Sequence, residues 1–466
     1  MRKTKIMSAT LCAVLLGAMT AFHAYCDTTA AAGQTIDMSS AIVTETGTSS
    51  VSLDDRSAAA VSSDTAGAAA VSSDTIGAAA VASDTTKTAA VSSGESESGT
   101  DAASSAAAGT ADVLDTTDLF SSRDLEQTAD LSEARAVTVT DGETVRITSA
   151  GVYVLSGAAS EAQILVEAGD EDKVQLVLDG VSITNTGAPC IYVKNADKVF
   201  VTTTDSENAL SVTGTFTADG TTNTDAVIFS RDDLVLNGTG TLQITSTDNG
   251  IAGKDDLKVT GGTLQITCTA DALEANDSIL IAGGTISIST DKDGLHAEND
   301  EDNTTGYIYI CGGTLDITAG DDAIHATTIV RIDSGTIGLS AAEGIEGTYI
   351  QINDGAITIA ATDDAINAGQ KSDFATPTIE VNGGTVTVTM GAGDTDAIDS
   401  NGNIILNGGT LDITAQSPFD YDGTARNNGA TIIVNGTQTD TITNQMMCGG
   451  MGGRGGMGGM NGRRGW

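Results

Sequence analysis

Acidic side chains recur at one phase of a repeat. Asp225, Asn249, Asp271, Asp293, Asp322, Glu343, Asp364 and Asp396 open successive units, and Asp248, Asp291, Asp321, Asp363 and Asp394 supply a second acid one or two residues earlier. Like charges stacked about 4.8 Å apart repel unless a cation or a proton lies between them. Ca2+, which takes roughly six to eight oxygens from carboxylates and turn carbonyls, suits such a column. The metal set expected is therefore Asp248, Asp271, Asp291, Asp293, Asp321, Asp322, Glu343, Asp363, Asp364, Asp394 and Asp396. The alternative is that each acid caps its own turn through the backbone.

A second row follows three residues later: Glu274, His296, His325, Glu346, Asn367 and Asp399. On an alternating strand these face solvent, beside the small residues Ala272, Gly294, Ala323, Gly344, Ala365 and Ala397. A straight trough with repeating polar groups fits a linear polysaccharide; an ordinary solvated sheet face is the plainer alternative. The two histidines suit a sugar, a metal or acid–base work. No nucleophile or metal-protease spacing surrounds them, so no catalytic residue is assigned.

The rows depend on a period. Thr241, Thr263, Thr285, Thr314, Thr336, Thr385 and Thr410 hold one position, with Ala356 standing in once, at steps of 22, 22, 29, 22, 20, 29 and 25 residues. Each unit contains three short runs alternating with period two and split by Gly, Asn or Asp, which are strand signals without helical spacing. A period near 22 with loop insertions predicts stacked units. The fold class expected is all-β, a right-handed parallel β-helix solenoid with three short strands per coil. Asp112 to Ala136 reads as a short helix and an entry strand, with Leu119, Phe120 and Leu125 plugging the first coil.

Composition narrows the partners. A formal net charge of −42 repels phosphate backbones and anionic membranes, so neither is an expected partner. Residues 1–26 have a basic start and a short apolar core, as in a secretory leader. The expected location is secreted or cell-surface, with lipid anchoring at Cys26 ranked second and no membrane-spanning segment. Residues 27–115 form a Ser/Thr/Ala/Asp linker too polar to fold, 116–445 the repeat domain, and 446–466 a Gly/Met/Arg-rich tail. Cysteines lie at different repeat positions without a CxxC pair, which argues for buried apolar thiols. The chain is expected to be monomeric.

The succession of GGT strands (GGTLQIT, GGTISIS, GGTLDIT, GGTVTVT) and DAI motifs (DAIHA, DAINA, DAIDS) resembles a bacterial family. It is similar to the secreted carbohydrate-binding β-helix proteins that bind cellulose and acidic sugars and are relatives of the pectate lyases. The likeness spans roughly Asp118 to Asn444. It implies calcium at Asp271, Asp293, Asp322, Asp364 and Asp396, polysaccharide binding and no established lyase activity; Glu343 and Asn249 depart from the Asp pattern. Three functions remain open. The first is calcium-dependent binding of plant cell-wall polysaccharide, acidic such as pectin or else cellulose. The second is calcium-assisted β-elimination by a polysaccharide lyase. The third is a structural or adhesive surface role. Cellulose would call on Tyr307, Tyr309, Tyr349, Phe419 and Tyr421 for stacking, and elimination on a basic cluster that scattered Lys254, Lys258, Lys292, Arg331 and Lys371 do not make.

Overall fold

The computed structural model describes residues 113–299, 301–392 and 395–445. The leader, nearly all of the linker, the tail, Asp394, Cys12, Cys26 and Cys448 lie outside them. Among the described residues there is no helix; β-strands make two sheets, of 22 and 12 strands, paired almost entirely in parallel. One antiparallel hairpin, Thr431–Val434 with Thr437–Thr439, ends the larger sheet.

The period places equivalent residues opposite one another. Thr241 pairs Thr263, Thr285, Thr314, Thr336, Ala356, Thr385 and Thr410 in turn, and Thr431 extends the column by one unit. The backbone N–H groups of Thr263, Thr285, Thr314, Thr385 and Thr410 each donate to a glycine carbonyl one unit back, at 2.8–2.9 Å. Side-chain bonding along the stack belongs to asparagines. Asn428 donates to Asn407, Asn407 to Asn382 and Asn382 to Asn353, each at 2.7 Å, and Asn353 donates to Asp333 Oδ1 at 2.6 Å.

The expected right-handed β-helix solenoid, with three separate strands per coil, is corrected by this topology. Ten parallel strands close into a barrel. From Lys173–Asn185 the pairing runs through Lys198–Thr203, Asp233–Gly238, Asp256–Val259 and Ser278–Ile281 to Tyr307–Thr318. It returns through Thr285–Thr290, Thr263–Cys268, Thr241–Thr245 and Glu207–Val212. The physical reason lies in the two long strands, of 13 and 12 residues. Gly180 and Gly313, at φ of 74° and 93°, bend the backbone without ending the strand. Glycine tolerates that conformation where other residues do not. The register slips beside Cys311, as at a bulge, and each long strand pairs with both flanking ladders.

The twelve-strand sheet carries the polar rows. Ile251, Leu273, Leu295, Ile324, Ile345, Ile366 and Ile398 stand in one register and are fully buried, joining one continuous core with the barrel side chains. The small residues do not face solvent as the alternation suggested. Ala272, Ala323, Ala365 and Ala397 are also buried in that core. A Cβ on Gly294 would lie 2.5 Å from Ile317 Cγ2 and 2.6 Å from the Ala323 carbonyl. They sit just before or at the start of strands of three to five residues, and both they and the aliphatic residue that follows are buried.

Residues 114–127 form neither the expected helix nor a plug. They run as turns along strands of the larger sheet. Arg331 donates to the Leu114 carbonyl, Lys258 to Leu119, Thr260 to Asp124 and Asn237 to Glu126. Phe120 approaches Tyr309 at 6.3 Å, and Leu125 is exposed. Pro189, Pro377 and Pro418 fall outside strands, in keeping with their lack of the N–H a ladder needs. Cys190 and Cys268 are buried, their thiols pushed up to about 12 and about 11 chiefly by desolvation, and Cys311 is half-buried.

Burial should decide mutational cost. Ile324→Ala is expected to destabilise by about 2–5 kcal/mol. Thr336→Ala, at an exposed position where another unit already carries Ala356, should stay within about 0.5 kcal/mol. Urea unfolding of the two variants measures the contrast.

Candidate functional site

Parallel pairing brings the second row together. Glu274 pairs with His296, His296 with His325, His325 with Glu346, Glu346 with Asn367 and Asn367 with Asp399. The row continues to Asp420, which alternation alone did not place there. Toward the N-terminus it turns apolar: Leu165, Tyr192, Phe229 and Ala252 precede Glu274 in register, with Tyr192 and Phe229 meeting edge to face at 5.7 Å.

The first acid column runs alongside and does two jobs. At four positions one side-chain oxygen braces the stack. Asn249 Oδ1 accepts from the Asp271 N–H at 2.8 Å, Asp271 Oδ1 from Asp293 at 3.2 Å, Asp293 Oδ1 from Asp322 at 3.0 Å, and Asp364 Oδ1 from Asp396 at 2.9 Å. These bonds are not the turn caps of the alternative, since each acceptor reaches the backbone of the next unit rather than its own turn. Of the second acids, Asp291, Asp321 and Asp363 are exposed and Asp248 half-buried; Asp394 lies outside the described residues.

The other oxygens turn toward cations the chain supplies. His296 Nδ1 lies 3.0 Å from Asp271 Oδ2 and 3.1 Å from Asp293 Oδ2, while Nε2 lies 3.2 Å from Glu298. His325 Nδ1 lies 2.7 Å from Asp322 Oδ2 and 2.8 Å from Glu346 Oε2. The rings stand 4.9 Å apart. Lys292 reaches Asp271 at 2.8 Å, Lys371 reaches Glu346 at 2.5 Å and Lys254 reaches Glu274 at 2.9 Å. These histidines are not merely solvated. The lysines are separated from their partners by about 20 to 25 residues, so only the stacking period reveals them.

Protonation follows the wiring. Burial opposes charge on both imidazoles, yet hydrogen bonds and the field of the flanking carboxylates outweigh it, holding His296 up to about 10 and His325 up to about 9. Burial also resists Glu346 ionising, but His325 and Lys371 pull it well below the usual range. Asp322 is pushed up by burial, with Glu346 and Asp293 adding to it against the hydrogen bond from His325. Burial and the charges of Glu346, Asp322 and Asp364 lift Glu343 to about 7 despite a hydrogen bond from Asn367.

The C-terminal end of the rows has a different character. Burial lifts Asp399 to about 7, reinforced by Asp364, Asp420 and Asp396, and Asp364 is raised by burial and by Asp363, Asp396 and Asp420. Asp420 Oδ1 is buried without a hydrogen-bond partner among the described residues. These groups offer oxygen alone, the donor type Ca2+ takes, while the middle of the column adds imidazole nitrogens and ammonium groups.

The aromatic candidates do not gather. Phe419 is core, Tyr309 is buried and bonded to Asp333 at 2.9 Å, and Tyr349 is bonded to Glu380 at 2.7 Å. Lys258 and Arg331 share one row but stand three pairings apart, both buried beneath residues 114–127. No helix among the described residues is long and apolar enough to cross a membrane.

The imidazoles have folded pKa values above the ordinary 6.5, so they stabilise fully below about pH 6.5 and lose that stabilisation as pH rises through about 9–10. In chelator, His296→Gln combined with His325→Gln should cost about 2–3 kcal/mol at pH 6, because two buried carboxylate pairs lose their partner. The gap from the parent chain should shrink progressively above pH 9. Thermal melts across that range test it, and a gap independent of pH contradicts the assignment.

Comparison with known proteins agrees with the resemblance read from the GGT and DAI motifs. Residues 141–391 and 340–447 match the family described as carbohydrate-binding domain-containing protein. A carbohydrate-binding domain-containing protein of Acetivibrio thermocellus is 41% identical over 124 residues, covering 25% of this chain and 43% of that relative's length. Among solved structures, a polysaccharide lyase-like protein from C. thermocellum, a gadolinium derivative, is 33% identical. That alignment covers 48% of this chain and 96% of that one, at a TM-score of 0.44. With a match extending over more than half its length, the chain belongs to the family of carbohydrate-binding domain-containing proteins.

Proposed function

We propose that the chain binds an acidic plant cell-wall polysaccharide such as polygalacturonate along the row Glu274, His296, His325, Glu346, Asn367 and Asp399, with Ca2+ at its C-terminal end. The observation that carries this reading is the register: six polar side chains stand on successive strands, one strand spacing apart, along one sheet. A linear glycan offers hydroxyl and carboxylate groups to such a line at regular intervals. Asp364, Asp396, Asp399 and Asp420 would hold the ion. Bound there, calcium supplies positive charge that both relieves the aspartates and attracts a uronate. The chain's own residues do the rest: the backbone-braced acids fix the edge of the row, and the imidazoles and lysines keep its middle from repelling an anionic polymer.

Acidic sugar is favoured over cellulose because Phe419, Tyr309 and Tyr349 are spent on core packing and hydrogen bonds. The reading includes no elimination chemistry: Lys258 and Arg331, the basic side chains of a single row, are buried apart from each other, and Lys254, Lys292 and Lys371 are each paired with a carboxylate. It takes the protein to act outside the cell, where a weak calcium site is filled at about 0.1–1 mM.

Retention of the full chain on immobilised polygalacturonate, with calcium or with chelator, tests the function. Chelator should reduce retention at least about tenfold, an effect of about 1.4 kcal/mol. Asp399→Asn should abolish the calcium response. Because its raised carboxyl loses stabilisation as pH climbs from about 4 to about 7, the same variant should melt higher than the parent in chelator at pH 8, by about 2 °C for about 1 kcal/mol after allowing for solvent screening. Retention unchanged in chelator sinks the calcium-bridged reading. A calcium-dependent melt without retention on any glycan favours the structural role, and unsaturated product absorbing in the near ultraviolet favours the lyase.

A further inference from the structure

Midway along the rows, two neighbouring units each set a histidine nitrogen between two buried carboxylates. We propose that these form a pair of adjacent sites for a divalent first-row transition ion such as Zn2+, one built from Asp271, Asp293 and His296 and the other from Asp322, His325 and Glu346.

Donor chemistry separates these sites from calcium. An imidazole nitrogen with carboxylate oxygens is a zinc-type set, whereas calcium prefers oxygen throughout. In each group the three donor atoms lie within 4.8 Å of one another. Metal–donor bonds of about 2.0–2.2 Å in a tetrahedron require donors about 3.4 Å apart. The nitrogen–oxygen distances of 3.0 and 3.1 Å in the first site and 2.7 and 2.8 Å in the second need open by only a few tenths of an ångström to somewhat more. Asp271, Asp293, Asp322 and Glu346 are all more than nine-tenths buried, so their rotamers are confined. Asp271 and Asp293 are further fixed because their second oxygens accept backbone N–H groups, the kind of outer bracing that orients ligands. A third group, Asp293 with Asp321 and Asp322, links the two sites.

Without metal, the four carboxylates face the two imidazoles and the ammonium groups of Lys292 and Lys371. Two divalent ions would offset the same four carboxylates. Each ion enters as Nδ1 presents its lone pair and the lysine turns outward, which side-chain exposures of 46% and 35% permit. Strand pairing would hold the ions about 5 Å apart, each with a position open to water. The inference goes beyond glycan binding and rests on side chains other than the all-oxygen aspartates at the C-terminal end.

Zn2+ titration of the full chain by calorimetry, with Co2+ as a spectroscopic substitute, tests it. Two zinc ions should bind per chain without displacement by excess Ca2+, and Co2+ should acquire the visible absorption of nitrogen–oxygen coordination. His296→Gln and His325→Gln should each remove one ion or weaken it at least about 100-fold. Lys292→Met with Lys371→Met removes the competing cations while sparing every ligand, and should tighten zinc about tenfold. Glycan retention is measured in parallel, so failure of either idea is seen separately. The inference is overturned by absence of zinc binding, by equal binding in the histidine variants, or by lysine variants that bind no tighter than the parent.

Discussion

Carboxylates that recur once per unit in a parallel stack arrive one strand spacing apart, at about 4.8 Å, and this repulsion is the constraint the rest of the site answers. Along the middle of the column the answer is internal: one oxygen braces a backbone N–H in the next unit, and the other meets His296, His325, Lys292 or Lys371. At the C-terminal end the charges that raise Asp399 are those of other aspartates, and an oxygen of Asp420 is left without a partner. The same repeat therefore yields two chemical environments, one where the chain supplies cations and one where aspartates face other aspartates. The chain belongs to a carbohydrate-binding family, and its row sets polar groups on successive stacked strands.

The sequence told much about register and less about closure. Spacing of Thr241 through Thr410, including Ala356, located the column the strands adopt, because period-two alternation and a glycine turn fix which residues can face one another. It also aligned Glu274 through Asp399 correctly. What it missed depended on backbone geometry between strands. Gly180 and Gly313 read as breaks, yet they bend continuous strands that pair with two ladders, turning an expected solenoid into a closed barrel and a second sheet. Ala323 and its equivalents read as solvent-facing by strict alternation, but alternation fails where the strand has only begun.

Partnerships between distant residues were the other blind spot. Lys292 and Lys371 seemed scattered until stacking set them against Asp271 and Glu346. Residues 114–127 read as a short helix by composition. They instead spend carbonyl oxygens on Arg331, Lys258, Thr260 and Asn237, and those tertiary hydrogen bonds outweigh weak local propensity. Lys258 and Arg331 lie buried under that segment.

The asparagine file has an evolutionary corollary. Each carboxamide from Asn428 to Asn353 hands its donor to the unit before it, and the file terminates on the Asp333 carboxylate, so it has a direction and a fixed endpoint. Adding or removing one entire unit preserves every handover. Inserting a single residue within a strand would swing that unit's amide to the opposite face and cut the file in two. Change in the length of this protein is thus quantised by its own side chains: growth by whole units is nearly free, and growth by parts of a unit is not.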